Sequence, residues 1–181
     1  MRHSILATVL ALAGFATNAH AFELTSADVT NGGTLKTEQI SNIFGCKGGN
    51  LSPSLSWKDA PEGTKSFAVS MYDPDAPTGS GFWHWVAFDI PAATTSLPAG
   101  ASTLDGKKLP PGTIQVRNDA SIAAYVGACP PPGAPHHYVI TVKALKLDKL
   151  GLDGNATPAL VGFMSNANKL GEATITATYG Q

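Results

Sequence analysis

Charge is scarce in this sequence. Of 181 residues only 14% are aspartate, glutamate, lysine or arginine, and beyond position 21 there is a single arginine, Arg117. No basic patch forms, which excludes nucleic acid as the main partner. Long apolar runs are also missing. The most extended, Ile5 to Ala16, falls short of the roughly 20 residues that cross a bilayer, so the chain is not membrane-spanning. Cysteine is limited to Cys46 and Cys129, too few and too distant to build a metal site by themselves. There is no Gly-x-Ser-x-Gly elbow to mark a serine nucleophile. No internal repeat, low-complexity linker or second-domain boundary interrupts the chain, which reads as one domain with a sizeable core.

What is present begins with a leader. Met1-Arg2-His3 carries positive charge, Ile5 to Ala16 is apolar or small, and Ala19-His20-Ala21 has the small-x-small form of a signal peptidase site. The reading is a signal peptide over residues 1–21, cleaved after Ala21, and a single exported, periplasmic domain over residues 22–181. In that oxidising setting an even cysteine count favours a disulfide between Cys46 and Cys129. Its loop would contribute roughly 4 kcal/mol on the chain-entropy account. Two separate buried thiols are the alternative. Of five histidines, His3 and His20 leave with the leader, and His84, His136 and His137 remain in two short segments.

Glycine (19) and proline (13) are frequent, and short β-rich runs alternate with turn clusters, the pattern of an all-β sandwich. Candidate strands are Ser54–Trp57, Ser66–Tyr72, Trp83–Ile90, His137–Leu147 and Ala173–Tyr179. Thr174, Thr176 and Thr178 alternate with Ile175, Ala177 and Tyr179, as in a sheet with one wet face. Phe67–Tyr72 and Trp85–Phe88 are nearly continuous apolar runs, as central buried strands would be. One helix is predicted near the C-terminus, capped by Thr157, opened by Pro158 and stopped by Gly171. Its apolar residues are Leu160, Val161, Phe163, Met164, Ala167 and Leu170. A shorter helix is read around Glu38–Phe44, and Lys143–Gly154 reads as a surface connection.

Three segments carry candidate chemistry. In Tyr72–Gly81, Asp73 and Asp75 stand one residue apart, so an extended backbone would point both the same way. They could share a proton, bind a cation, or accept backbone amides as ordinary turn formers do. In Phe82–Phe88, alternation would put Trp83 and Trp85 on one side of a strand and His84 on the other. His84 is then either a satisfied core residue or part of a site. In Tyr125–Tyr138, a proline run favours an extended, preordered loop. Gly127 and Gly133 there permit close backbone approach or positive φ. His136 and Tyr138 would share one strand face, with His137 on the other. Adjacent histidines diverge, which makes a metal site a poor reading.

Taken together, Tyr72-Asp73-Pro74-Asp75-Ala76-Pro77, Trp83-His84-Trp85, and Gly127-Ala128-Cys129-Pro130-Pro131-Pro132-Gly133 with His136-His137-Tyr138 resemble the two signature regions of the phosphatidylethanolamine-binding protein family. That family is also called the Raf kinase inhibitor protein family. Gly45–Trp57 and Asn166-Ala167-Asn168-Lys169 resemble its bacterial YbhB/YbcL branch, and the leader points to a periplasmic member. The resemblance implies a Greek-key β-sandwich with a C-terminal helix and short peripheral helices. It implies a small anion pocket lined by Asp73, His84, His136, Tyr138 and the loop at Gly127, with Asp75 helping to hold it. It also implies a cis peptide bond at Ala76–Pro77. Ala124-Tyr125 and Gly127-Ala128-Cys129 depart from the branch's usual Gly-Tyr and Gly-Pro-Cys, so ligand identity transfers less well than fold. An exported protein would not meet intracellular kinases.

The expected function is a non-enzymatic binding protein for phosphate-like or phosphorylethanolamine-like anions, without cofactor, acting on a protein partner. Oriented amides at Gly127 and Gly133, imidazoles and the Tyr138 hydroxyl would supply donors. Asp73 would orient His84 or His136, or accept a ligand proton, and anion binding would tighten as pH falls. The alternatives are a metal-assisted or acid/base hydrolase using Asp73, Asp75, His84 and His136, and a purely structural exported domain. Arg117 is either a phosphate ligand or a structural partner of a nearby aspartate. A two-sheet fold with aromatic surface leaves room for a homodimer, although no self-complementary patch is legible.

Overall fold

The computed structural model describes residues 21–181. Apart from Ala21, the expected signal peptide lies outside the described residues. Among them, no helix is long and apolar enough to cross a membrane.

The sheets form from the runs with the strongest β propensity. A five-stranded antiparallel sheet has the order β6-β4-β3-β7-β8, built from β3 (Ser66–Asp73), β4 (Phe82–Pro91), β6 (Ile114–Gln115), β7 (His136–Leu145) and β8 (Lys169–Tyr179). A smaller antiparallel sheet, β1-β2-β5, comprises β1 (Glu23–Thr25), β2 (Leu55–Lys58) and β5 (Ser96–Leu97). Between the sheets lies the main core, in which Leu55, Trp57 and Leu97 meet Phe67, Val69, Met71, Trp85, Tyr138, Ile140 and Ile175. The outer face of the large sheet carries a second core. There Ala68, Val86 and Phe88 pack with Val116, Leu145, Leu150 and Val161 of the helix α1 (Pro158–Asn168).

This three-layer arrangement explains the unbroken apolar runs. β3 and β4 are covered on both faces, so neither face calls for polar residues. β8 keeps one wet face. Ala173, Ile175 and Ala177 are buried while Thr174 is exposed. Its edge is covered by the Gly32–Leu35 segment, with Leu35 N–H donating to Thr178 O (2.9 Å) and Thr178 N–H to Gly33 O (2.8 Å). Covering an edge in this way removes a template for pairing with other chains.

Several local expectations are corrected. Thr157 does cap α1, its side chain accepting from Leu160 N–H (3.2 Å). The helix, however, ends without a left-handed glycine. Lys169 is extended and opens β8 directly, because it must pair with Leu145, while Gly171 lies inside the strand opposite Ala144. The buried face of α1 is Val161 and Ser165 rather than the full apolar set, and Leu160 and Phe163 are exposed. Ser165 can be buried because its hydroxyl donates to Val161 O (2.7 Å). The Glu38–Phe44 helix shrinks to a 3₁₀ turn at Thr37–Gln39. The Lys143–Gly154 connection is not wholly at the surface, because Lys143–Leu145 belong to β7 and Leu145 and Leu150 enter the outer core. No peptide bond among the described residues is cis, so Ala76–Pro77 is trans. The reversal is made instead by the Asp73 side chain accepting from Asp75 N–H (2.9 Å) and by Gly79 and Gly81 at positive φ.

Candidate functional site

A bulge in β4 sets the site. Met71 pairs with Trp85, but Tyr72 pairs with Trp83, which leaves His84 as an extra residue. Trp83 therefore faces the outer core, while Trp85 and His84 both face the inter-sheet side. The expectation that the two tryptophans share a side, with His84 opposite, is overturned by this one inserted residue.

His84 is buried, and its ring is fixed from outside the sheet. Nδ1 lies 2.8 Å from Val126 O. A carbonyl only accepts, so Nδ1 carries the proton and the neutral ring presents a bare Nε2. Val126 N–H in turn donates to His84 O (3.0 Å), and the Asn118 amide donates to both His84 O and Ala124 O. Asn118 is thus the clamp on this strand end. Its two acceptors belong to different segments, so sequence reading offered no signal for it beyond a place next to Arg117.

β3 delivers Asp73 to the same place. Its Oδ2 accepts from His136 Nδ1 (2.7 Å), with both side chains buried. At the start of β7 the alternation holds: His136 and Tyr138 point inward and His137 is exposed. Asp75 does not enter the pocket. Its Oδ2 accepts both His137 N–H and His137 Nδ1–H (2.7 Å each). The backbone bond first, and then the ring, hold the Asp75 carboxyl below its usual range. Asp75 therefore anchors the turn from outside.

Gly127 serves by close approach. A Cβ there would lie 2.4 Å from both Gln39 O and Ser41 N, in the backbone that bridges to Ala128. Its N–H donates to Asn50 Oδ1 (2.8 Å), so the expectation of a free Gly127 amide for an anion is overturned. Asn50, quoted above only within a motif, is the residue that consumes it. The disulfide joins Cys46 to Cys129, and Cys129 contributes to the pocket wall.

These elements enclose a cavity of about 220 Å³, small beside the roughly 300–1,000 Å³ of sites for drug-sized ligands. Asp73, His84, His136 and Tyr138 form its buried floor, and the exposed Phe44 and Pro77 stand at its rim. Among the described residues, no lysine or arginine lines it. Two buried polar atoms here have no hydrogen-bond partner among the described residues, His84 Nε2 and Tyr138 Oη. Burial, above all, pushes His84 below the usual histidine range, although the Val126 carbonyl and the Asp73 charge favour its protonated form. Burial also pushes the Tyr138 phenol up, with the nearby Asp73 charge adding to it. Tyr138 therefore keeps its proton as a donor.

Two other residues lie elsewhere. Arg117 is exposed and makes no ion pair among the described residues, while Asp119, the nearest candidate, accepts from Trp83 N–H (2.8 Å). Neither proposed role for Arg117 is realised in this structure. Among the described residues no three histidine, cysteine, aspartate or glutamate side chains are grouped so that they could hold a metal ion.

Known proteins share this sequence and architecture. YbcL of Escherichia coli is 53% identical over 180 residues, which cover 99% of this chain and 98% of YbcL. YbhB of the same organism is 44% identical over 157 residues, covering 87% of this chain and 99% of YbhB. The crystal structure of E. coli YbcL, described as a new member of the mammalian PEBP family, superimposes with a TM-score of 0.87 over 90% of this chain and 99% of that one. The sequence model for phosphatidylethanolamine-binding proteins matches residues 25–180. With its signature residues gathered around one pocket inside this two-sheet frame, the chain belongs to the phosphatidylethanolamine-binding protein family.

Proposed function

We propose that this chain is an exported, non-enzymatic binding protein whose pocket takes phosphate-like or phospholipid-headgroup anions and whose output is modulation of a protein partner. One observation carries the reading. At the floor of the cavity the Tyr138 hydroxyl and His84 Nε2 are buried without partners among the described residues, and a buried polar atom left unpaired costs about 1–3 kcal/mol. A ligand that fills the cavity must therefore pair with them or forfeit that much affinity. The anion's oxygens accept from Tyr138 O–H and, when His136 is protonated, from its Nε2–H, while His136 Nδ1–H stays on Asp73. The cavity's size suits a headgroup rather than acyl chains, and Phe44 and Pro77 offer apolar cover to the ester side.

Because no lysine or arginine among the described residues lines the pocket, the positive charge that an anion needs must come from histidine. Affinity should therefore rise as pH falls. Titration calorimetry with inorganic phosphate and phosphorylethanolamine between about pH 5.5 and 7.5 tests this. Binding that strengthens toward acid supports the reading, whereas absence of binding, or affinity flat with pH, overturns it. Phosphoester turnover that disappears with Asp73→Ala or His136→Ala would replace it with the hydrolase reading. Export rests on the composition of Met1–Ala21. N-terminal sequencing of the protein recovered from the periplasm should begin at Phe22.

A further inference from the structure

The two imidazoles on the floor differ in what holds them. His136 Nδ1–H points at a carboxylate, Asp73 Oδ2, whereas His84 Nδ1–H points at a carbonyl, Val126 O. Protonated His136 is paired with a full negative charge at 2.7 Å, while a protonated His84 would have no such partner. The groups near His84 are the Phe82 ring, the Tyr138 ring, the Val126 and Gly127 carbonyls and, further off, the Asp73 and Asp119 charges. With only 5% of its surface exposed, His84 is held as a neutral ring whose one free valence is the Nε2 lone pair.

A lone pair buried against a cavity is an acceptor, and an acceptor is satisfied only by a donor. Among the described residues none reaches it: Gly127 N–H is on Asn50, Val126 N–H is on His84's own carbonyl, and Tyr138 O–H makes no bond to it. A ligand that displaces water from this cavity must bring the donor itself. A phosphodiester has no P–O–H, so it would leave Nε2 orphaned. A phosphomonoester with one acidic proton retained has a P–O–H together with two acceptor oxygens for Tyr138 and His136. Its second pKa lies near 6, so that form is abundant in mildly acid solution.

Building on the anion-binding reading above, we infer that His84 makes the pocket selective for phosphoryl groups that retain a proton, monoester or phosphonate monoanions, over diesters and other proton-free anions of equal charge. Such a group is found on a soluble phosphomonoester or at the end of a lipid such as a phosphatidic acid. It is absent from a diester headgroup.

The test compares two anions matched in size and charge. Methylphosphonate and dimethylphosphinate are both monoanions at about pH 5.5 and differ only in a hydroxyl exchanged for a methyl. Calorimetry on the wild-type protein should show methylphosphonate binding roughly 10- to 100-fold more tightly, the ratio expected when a buried acceptor loses its donor. In His84→Gln, whose amide can turn to donate, the ratio should collapse toward unity, with native near-ultraviolet circular dichroism confirming the fold. Equal binding of the two probes to wild type overturns this selectivity while leaving the anion site standing. If neither probe nor inorganic phosphate binds, the anion site falls and the selectivity with it. To separate sources, methyl phosphate is compared with vesicles containing phosphatidic acid or phosphatidylethanolamine. Capture by phosphatidic acid vesicles but not phosphatidylethanolamine vesicles extends the inference to lipid, and the reverse order overturns it.

Discussion

Replacing Tyr138 with phenylalanine should move stability and ligand affinity in opposite directions. The Tyr138 side chain is fully buried, its ring packs in the inter-sheet core, and its hydroxyl has no partner among the described residues. Removing that oxygen breaks no hydrogen bond among the described residues. It opens no enclosed void, because the hydroxyl borders an existing cavity. Apo Tyr138→Phe should therefore match wild type or exceed it by at most about 2 kcal/mol, a rise in melting temperature of no more than roughly 4–8 °C for a domain of this size. The same oxygen is a neutral donor facing the anion site. Its loss should weaken phosphate binding about 10- to 150-fold, the range for a hydrogen bond to a charged group. Differential scanning calorimetry without ligand and titration calorimetry with phosphate read the two effects separately. An apo variant destabilised by more than about 1 kcal/mol would mean that the hydroxyl has a structural partner. A phosphate affinity within about twofold of wild type would mean that it does not serve the ligand. Either result refutes the reasoning.

Other expectations follow from the same contacts. The Cys46–Cys129 bond spans 83 residues, and reducing it should lower the unfolding free energy by about 4.5 kcal/mol on the chain-entropy account, measured by denaturant unfolding with and without reductant. Gly127→Ala should cost about 2–4 kcal/mol, because the new methyl meets backbone atoms of Gln39 and Ser41 that cannot move aside; an equilibrium unfolding curve gives the value. His84 titrates lower in the folded chain than in the unfolded one, mainly through burial. The unfolded state then takes up the proton first, so apo stability should decline as pH falls below about 6.5. Melts across pH should show that part of the slope missing in His84→Gln and offset by saturating phosphate in wild type.

The central strands were legible because burial on two faces writes a continuous apolar run into residues 67–72 and 85–88. β8 was legible because one wet face writes an alternation into residues 173–179. The inward pair His136 and Tyr138, with His137 outside, followed from the same period of two. The helix start was legible from Thr157 and Pro158, since a cap is a contact between near neighbours. Its buried face was not, because Ser165 is buried by a hydrogen bond rather than by apolar character.

By itself, then, the sequence determined the class of fold, the family and the small group of residues around which a site had to be sought. Each of those rests on order and periodicity along the chain. Only the tertiary structure decided what the residues do there. It put the bulge at His84, which turns that ring to the cavity. It sent Asp75 outward to His137 and left Asp73 to His136. It spent the Gly127 amide on Asn50 and left His84 Nε2 and Tyr138 Oη unpaired. The physical reason is that strand register and hydrogen-bond partners join positions 42 to 77 residues apart here. No local pattern in the chain records which of two competing partners a donor will meet.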